Sequence, residues 1–338
     1  MWAKFCGANC EAANDGGHAW AESSSSQASW PGDKLNPLPQ GLQVFERGWL
    51  SSNNVLLTDA HSSVLVDSGY ATHQAQTQSL VSVALQGRPL DLLVNTHLHS
   101  DHCGGNAGLQ SAYPDLQTMI PPGEAPAVLI WNEDALSYKP TGQFCPRFKF
   151  DKLLHPGQVL RMANLDWQIL AAPGHDPHSV IIFQPSHKVL ISADALWADG
   201  FGVVFPELEG KHAFDEVAKT LDLIEGLQAE WVIPGHGAIF QDVASALAAA
   251  RRKLDGFMQN PEKHARYGAK VLLKFKLLEL QRAPQASFVL WATQTHYFQV
   301  LHQRYGLGQP IKEWVEQLLA DLQRSRALEL VGQDVVNL

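Results

Sequence analysis

The chain has 338 residues, 45% of them hydrophobic, with 25 Lys and Arg against 34 Asp and Glu, a net charge of -9. That length holds one large domain plus a small one. The acidic balance argues against a broad polyanion-binding surface, which needs clustered cations, and no stretch approaches the ~20 apolar residues of a membrane span. Residues 1–36 are rich in Gly, Ala, Ser and Asn and read as a flexible leader, with too little apolar surface to offset the entropy of ordering. Lys4 precedes no apolar run, so no secretory signal is expected. Cys6, Cys10, Cys103 and Cys145 show neither zinc-finger spacing nor a disulfide framework, which suits a cytoplasmic location.

Strand-like runs begin near residue 40, at Leu42–Phe45, Val55–Leu57 and Val64–Val66, the last closed by the turn Asp67-Ser68-Gly69. A helix is expected over 72–86, then a strand at Leu90–Asn95. Further strands are expected at 165–171, 179–184 and 188–192, a helix at 214–226, and a strand at Trp231–Ile233. Strands interleaved with helices predict a mixed α/β sheet with helices outside, here a catalytic domain over 37–245. Helices follow at 241–258, 264–281 and 311–326. In the last, Ile311, Trp314, Val315, Leu318, Leu319 and Leu322 recur at the helical period. The runs Leu328–Val331 and Val335–Leu338 flank Gly332-Gln333-Asp334 as a hairpin. Residues 246–338 therefore read as a small, mainly helical, winged-helix-like module.

The chemistry concentrates in His97-Leu98-His99-Ser100-Asp101-His102, just past the apolar strand. Strand alternation puts His97 and His99 on one side, while Asp101 and His102 fall on the following turn and aim at a second point. A pair of metal ions ~3.5–4 Å apart suits that arrangement. Imidazole and carboxylate are good zinc ligands. One turn cannot complete two coordination shells, so further ligands are expected at other strand ends. His175 follows Pro173-Gly174, Asp194 follows the run Val189–Ser192, and His236 follows Pro234-Gly235.

The order HLHSDH, PGHD, SAD, PGHG over about residues 40–240 resembles the metallo-β-lactamase superfamily. The resemblance implies an αββα sandwich with metals at one sheet edge. It implies that His97, His99 and His175 bind one metal, that Asp101, His102 and His236 bind the other, and that Asp194 bridges them. A hydroxide held there would be the nucleophile, with Asp101 and Asp194 as catalytic carboxylates. Zn²⁺, two per chain, is the expected cofactor, with iron or manganese as the alternative ions. Asp194 stands where β-lactamases of this superfamily usually carry Cys or Ser. The pattern therefore resembles glyoxalase II, lactonases, phosphodiesterases and processing ribonucleases more than antibiotic-hydrolysing members. The expected reaction is hydrolysis of an ester, thioester or lactone in a small-molecule substrate. Alternatives are an iron-dependent persulfide dioxygenase, a nuclease or phosphodiesterase using the C-terminal module, and a β-lactamase.

Asp67 and Asp176 are expected behind the metal ligands. His178 has a cleft-facing role or a strand-capping one. Trp197, Phe201 and Phe205 line an apolar substrate wall or fill core. Arg251, Arg252 and Lys253 either meet an anionic substrate or form a solvated helix face, the reading preferred here. Lys270, Lys274 and Lys276 are read as a solvated face rather than a nucleic-acid patch. No nucleic-acid or membrane partner is expected. The apolar faces of 264–281 and 311–326 point to packing on the catalytic domain, a wall of the cleft, or a homodimer contact.

Overall fold

The computed structural model describes residues 38–306 and 308–338. The leader expected over 1–36, with Cys6 and Cys10, lies outside the described residues.

A six-stranded sheet runs in the order β1 (Leu42–Phe45), β2 (Asn54–Thr58), β3 (Ser63–Val66), β4 (Leu92–Val94), β5 (Gln117–Ile120) and β6 (Lys152–Leu153). Its first three strands are antiparallel and β3 to β6 are parallel. A five-stranded sheet contains β7 (Val159–Met162), β8 (Leu165–Ala171), β9 (Val180–Gln184), β10 (Val189–Ala193) and β11 (Trp231–Pro234), in the order β11-β10-β9-β8-β7.

Strand periodicity explains how the layers assemble. Alternate side chains leave a strand on opposite faces. Val55, Leu57, Val64 and Val66 therefore meet Ile182, Val189, Ile191 and Ile233 of the other sheet in one buried core. The residues between them turn outward. Leu56 and Leu65 pack under α1 (Gln74–Leu85) and α3 (Asn106–Ala112), the latter following the short α2 (Ser100–Cys103). Ile181 and Leu190 join a third core, with the helices on the far side. Both faces of each sheet are covered, which is why β2, β3, β9 and β10 read as unbroken apolar runs.

The short helices α4 (Ala125–Ile130), α5 (Tyr138–Thr141) and α6 (Phe205–Glu209) border the sheet ends. The far helical layer is built from α7 (Phe214–Leu227), α8 (Val243–Gln259), α9 (Pro261–Leu280), α10 (Gln285–Gln294), α11 (His296–Tyr305) and α12 (Ile311–Arg324). A small sheet closes the chain, β12 (Arg282–Pro284), β14 (Asp334–Asn337) and β13 (Leu328–Val331), in the order β12-β14-β13. The expected αββα architecture and a C-terminal helical region are thus both present. The division expected at 245/246 falls within α8, and a single apolar core runs from β9 and β10 through α7 to α12.

Lys274 departs from the solvated face expected of it. It is 2% exposed, and its ammonium donates to Ala327 O at 2.6 Å, Asn337 Oδ1 at 2.5 Å and Leu338 O at 3.0 Å. The carbonyl-rich end of the small sheet replaces its water, although burial still lowers its pKa to about 8. No described helix is long and apolar enough to cross a membrane.

Candidate metal centre

β4 delivers the chain into His97, and the turn into α2 carries His99, Asp101 and His102. Asp67, just past β3, fixes this loop from behind. Its carboxylate accepts from Thr96 N at 2.9 Å and Thr96 Oγ1 at 2.8 Å, and from His102 Nδ1 at 2.8 Å. Asp67 has a left-handed backbone, φ 57, which a non-glycine residue adopts at a cost. Two glycines shape the other ligand turns. Gly174 before His175 has φ 139 and abuts Val217, and a Cβ on Gly235 would overlap Asp194 Oδ1.

All seven expected ligands converge, in two groups whose donor atoms lie within 4.8 Å of one another. In the first, His99 Nδ1 is 3.1 Å from His97 Nε2 and 2.8 Å from His175 Nε2. In the second, His236 Nε2 is 3.1 Å from Asp101 Oδ2, and His102 Nε2 is 4.0 Å from the same oxygen. Asp194 reaches both groups. Its Oδ1 is 3.4 Å from His102 Nε2 and 3.9 Å from His236 Nε2, while Oδ2 is 3.4 Å from His175 Nε2.

The donor set fits divalent cations. His102 Nε2 is buried, aimed at the second group, and has no hydrogen-bond partner among the described residues. Such an atom is costly unless something satisfies it. Burial, and then the neighbouring imidazoles, hold His97 well below the usual histidine range and His175 at about 3, so both are neutral and keep a lone pair to offer. In the second group burial acts against the charged forms but carboxylate–imidazolium attraction wins. His102 is raised well above its ordinary value by Asp194, Asp67 and Asp101, and Asp194 is held well below its own by His102 and His236.

Outer contacts fix the ligands further. His175 Nδ1 donates to Val203 O at 2.5 Å. The loop carrying Val203 is gripped from α8 and α9. Lys253 Nζ donates to Phe201 O at 2.8 Å, and Val204 N donates to His264 Nε2 at 3.2 Å. Trp197 Nε1 donates to Asp194 Oδ1 at 3.2 Å, and Trp49 stacks on His236 at 5.3 Å. Asp176 is buried behind His99, 3.9 Å from its Nε2.

A cleft opens on the centre. Trp197 and Phe205 line it, whereas Phe201 does not and sits in the core against Phe257. His178 is exposed and does not line the cleft; its N–H donates to Asp176 Oδ1 at 2.7 Å. Arg251 is paired with Asp222 and Glu225, and Lys253 lies over the Tyr267 ring at 4.5 Å, so neither is the plain solvated cation expected. Sequence reasoning missed Trp49 as a lining residue. No motif surrounds it; the only signal is an aromatic side chain in the loop between β1 and β2.

Comparison with known proteins agrees with this geometry. Residues 47–236 match the Metallo-beta-lactamase superfamily model. The chain is 27% identical over 171 residues to an acyl-coenzyme A thioesterase of Gallus gallus, covering 45% of this chain and 58% of that protein. It is 31% identical over 138 residues to a hydroxyacylglutathione hydrolase of Erwinia tasmaniensis, covering 41% and 45% respectively. The chain thus spans about half the length of these relatives. A metallo-beta-lactamase family protein of Thermus thermophilus shares the fold at a TM-score of 0.51 and 18% identity, with 88% of this chain and 99% of that chain covered. Sequence match, sandwich and clustered His and Asp side chains together identify the chain as a member of the metallo-beta-lactamase superfamily, with two His and Asp groups that could hold metal ions.

Proposed function

We propose that the protein is a zinc hydrolase with a pair of ions per chain, acting on an ester, thioester or lactone, with a thioester as the favoured bond. One observation carries the pairing: Asp194 directs one carboxylate oxygen to each ligand group. His97, His99 and His175 would hold one ion, Asp101, His102 and His236 the other, and Asp194 both. Zinc there would lower the pKa of water to about 7 and polarise the scissile carbonyl.

The chain's own residues do the rest. Asp67 keeps His102 oriented through Nδ1, and Val203 O does the same for His175. Asp101, whose side chain is 15% exposed at the cleft, is placed to take or relay a proton at its carboxylate as the carbonyl is attacked. Trp49 and Trp197 cover His236 and keep water from its outer side. The thioester preference draws on the relatives named as thioesterases.

Small molecules, rather than nucleic acid, are the proposed partners. Of the three α9 lysines, expected on a solvated face rather than in a phosphate-binding patch, Lys274 is buried and Lys276 pairs with Glu279 at 2.8 Å. Phosphate binding needs several unopposed cations. The test is a panel of thioesters, lactones, phosphodiesters and β-lactams with zinc-loaded protein. Fastest turnover of a thioester, lost on chelation, is expected. Fastest turnover of a phosphodiester would replace this assignment.

A further inference from the structure

The cleft is lined by two unlike sets of residues. Its titratable lining residues, His99, Asp101, His175, Asp194 and His236, all belong to the ligand groups. The rest of the wall is mainly apolar: Trp49, Trp197 and Phe205 pack directly on those side chains, and Val271, Leu272 and Phe275 extend it, with the uncharged Ser137, Thr141 and Gln143 beside them. Among the described residues no Lys or Arg lines the cleft.

Three of the apolar wall residues come from α9, beyond residue 236 where the family match ends. α9 is held firmly. Leu273 and Leu277 are buried in the large core, and Lys274 anchors the same helix to the small sheet. Gly268 lets α9 approach α6, since a Cβ there would sit 2.8 Å from Leu208 Cδ1. Phe275 is braced edge-on against Tyr70 at 5.1 Å. A rigid apolar wall gains from burying a hydrocarbon without first having to be ordered, whereas a carboxylate there would lose its water and find no cation.

Resting on the thioesterase assignment, we propose that the α9 wall with Trp49, Trp197 and Phe205 is an acyl pocket, and that the enzyme selects thioesters whose acyl group is an uncharged hydrocarbon chain. A charged thiol portion then stays at the mouth of the cleft, in water. Val271, the most accessible of the three α9 residues, sets this selectivity from the solvent side.

The test uses the zinc-loaded full chain and N-acetylcysteamine thioesters carrying acetyl, butyryl, hexanoyl or succinyl groups. Burying each methylene is worth up to about fourfold, so kcat/KM should climb roughly 10- to 200-fold from acetyl to hexanoyl. Succinyl should fall below butyryl. Val271→Arg should move the succinyl-to-hexanoyl ratio toward succinyl by about tenfold or more, an ion-pair-sized effect. Phe275→Ala, with its melting temperature checked, should flatten the chain-length gain. Binding of the matching S-alkyl thioethers, which cannot be hydrolysed, is read in parallel by calorimetry. A flat chain-length series in both turnover and binding, or succinyl preferred by the unaltered protein, overturns the acyl pocket. Thioether binding that tightens with chain length while no thioester is turned over upholds the pocket and rejects the thioesterase assignment instead.

Discussion

The two ligand groups share Asp194 yet are built on different principles. His97, His99 and His175 form a site of imidazoles alone, in which burial and neighbouring imidazoles hold His97 and His175 neutral. Asp101, His102 and His236 add a carboxylate of their own to two imidazoles, and the Asp67 carboxylate backs His102. In the first group Asp194 is the one carboxylate, so the three rings depend on aim supplied from elsewhere. The second adds the carboxylate of Asp101. The supports follow the same division: a main-chain oxygen holds His175, while a carboxylate side chain holds His102.

The sharpest way to break the comparison is to remove one ligand from each side. His97→Ala and His102→Ala should each lose one ion, a different one, and nearly all activity. The loss should exceed the 10- to 100-fold typical of outer partners. Metal analysis of the purified variants checks it, and equal depletion of both ions in both variants would erase the distinction. Asp194→Asn comes next. It keeps the shape and removes the charge shared by both groups, so affinity for the second ion and the rate should both fall. Unchanged metal content and rate would show that Asp194 is not the bridge.

Asp67→Asn should weaken the site that includes Asp101 by roughly 10- to 100-fold and leave the imidazole site nearly intact. A titration with zinc, following each binding step, separates the two. His264→Ala is the counterpart on the other side. It leaves Val204 N–H unpaired in the core, costing about 1–3 kcal/mol, and loosens the loop that holds His175. The imidazole site should weaken by a few-fold and the melting temperature should drop.

The last contrast concerns pH. Burial, and then Lys253, depress His264 to about 3. The unfolded chain takes up this proton near pH 6.5, whereas the folded chain refuses it until about pH 3. The contribution is therefore fully present above pH 6.5, declines as pH falls from there, and is exhausted once pH passes the folded value. In demetallated protein, the acid-side fall of stability should be shallower for His264→Phe than for the unaltered chain. Parallel curves would rule out this contribution.

These differences also show what the sequence could disclose. The seven candidate ligands were legible because His97 to His102 crowd into one short stretch after β4, and His175, Asp194 and His236 each follow an apolar run within a few residues. Strands buried on both faces, such as Val189–Ala193, were equally plain. Short elements were not. β6 has two residues and α2 only four, too few to show a period. α10 and α11, over 285–305, escaped notice because apolar residues are spread around α10 rather than along one stripe. The acyl wall was hidden for another reason. On α9 the residues facing the core and those facing the cleft are all apolar, so sequence spacing reports burial but not which surface is buried against protein and which awaits a ligand. Lys274 shows the converse, a lysine whose burial depends on carbonyl groups more than fifty residues away.

The central claim is that this pair of unlike sites works as one zinc centre for thioester hydrolysis. Zinc titration of the demetallated chain, with bound metal and thioester turnover followed in the same samples, tests it most directly. The account predicts about two zinc ions per chain at saturation, with full turnover only when both are bound. Full turnover before any metal is added, or with a single ion that never gains a partner, would contradict it.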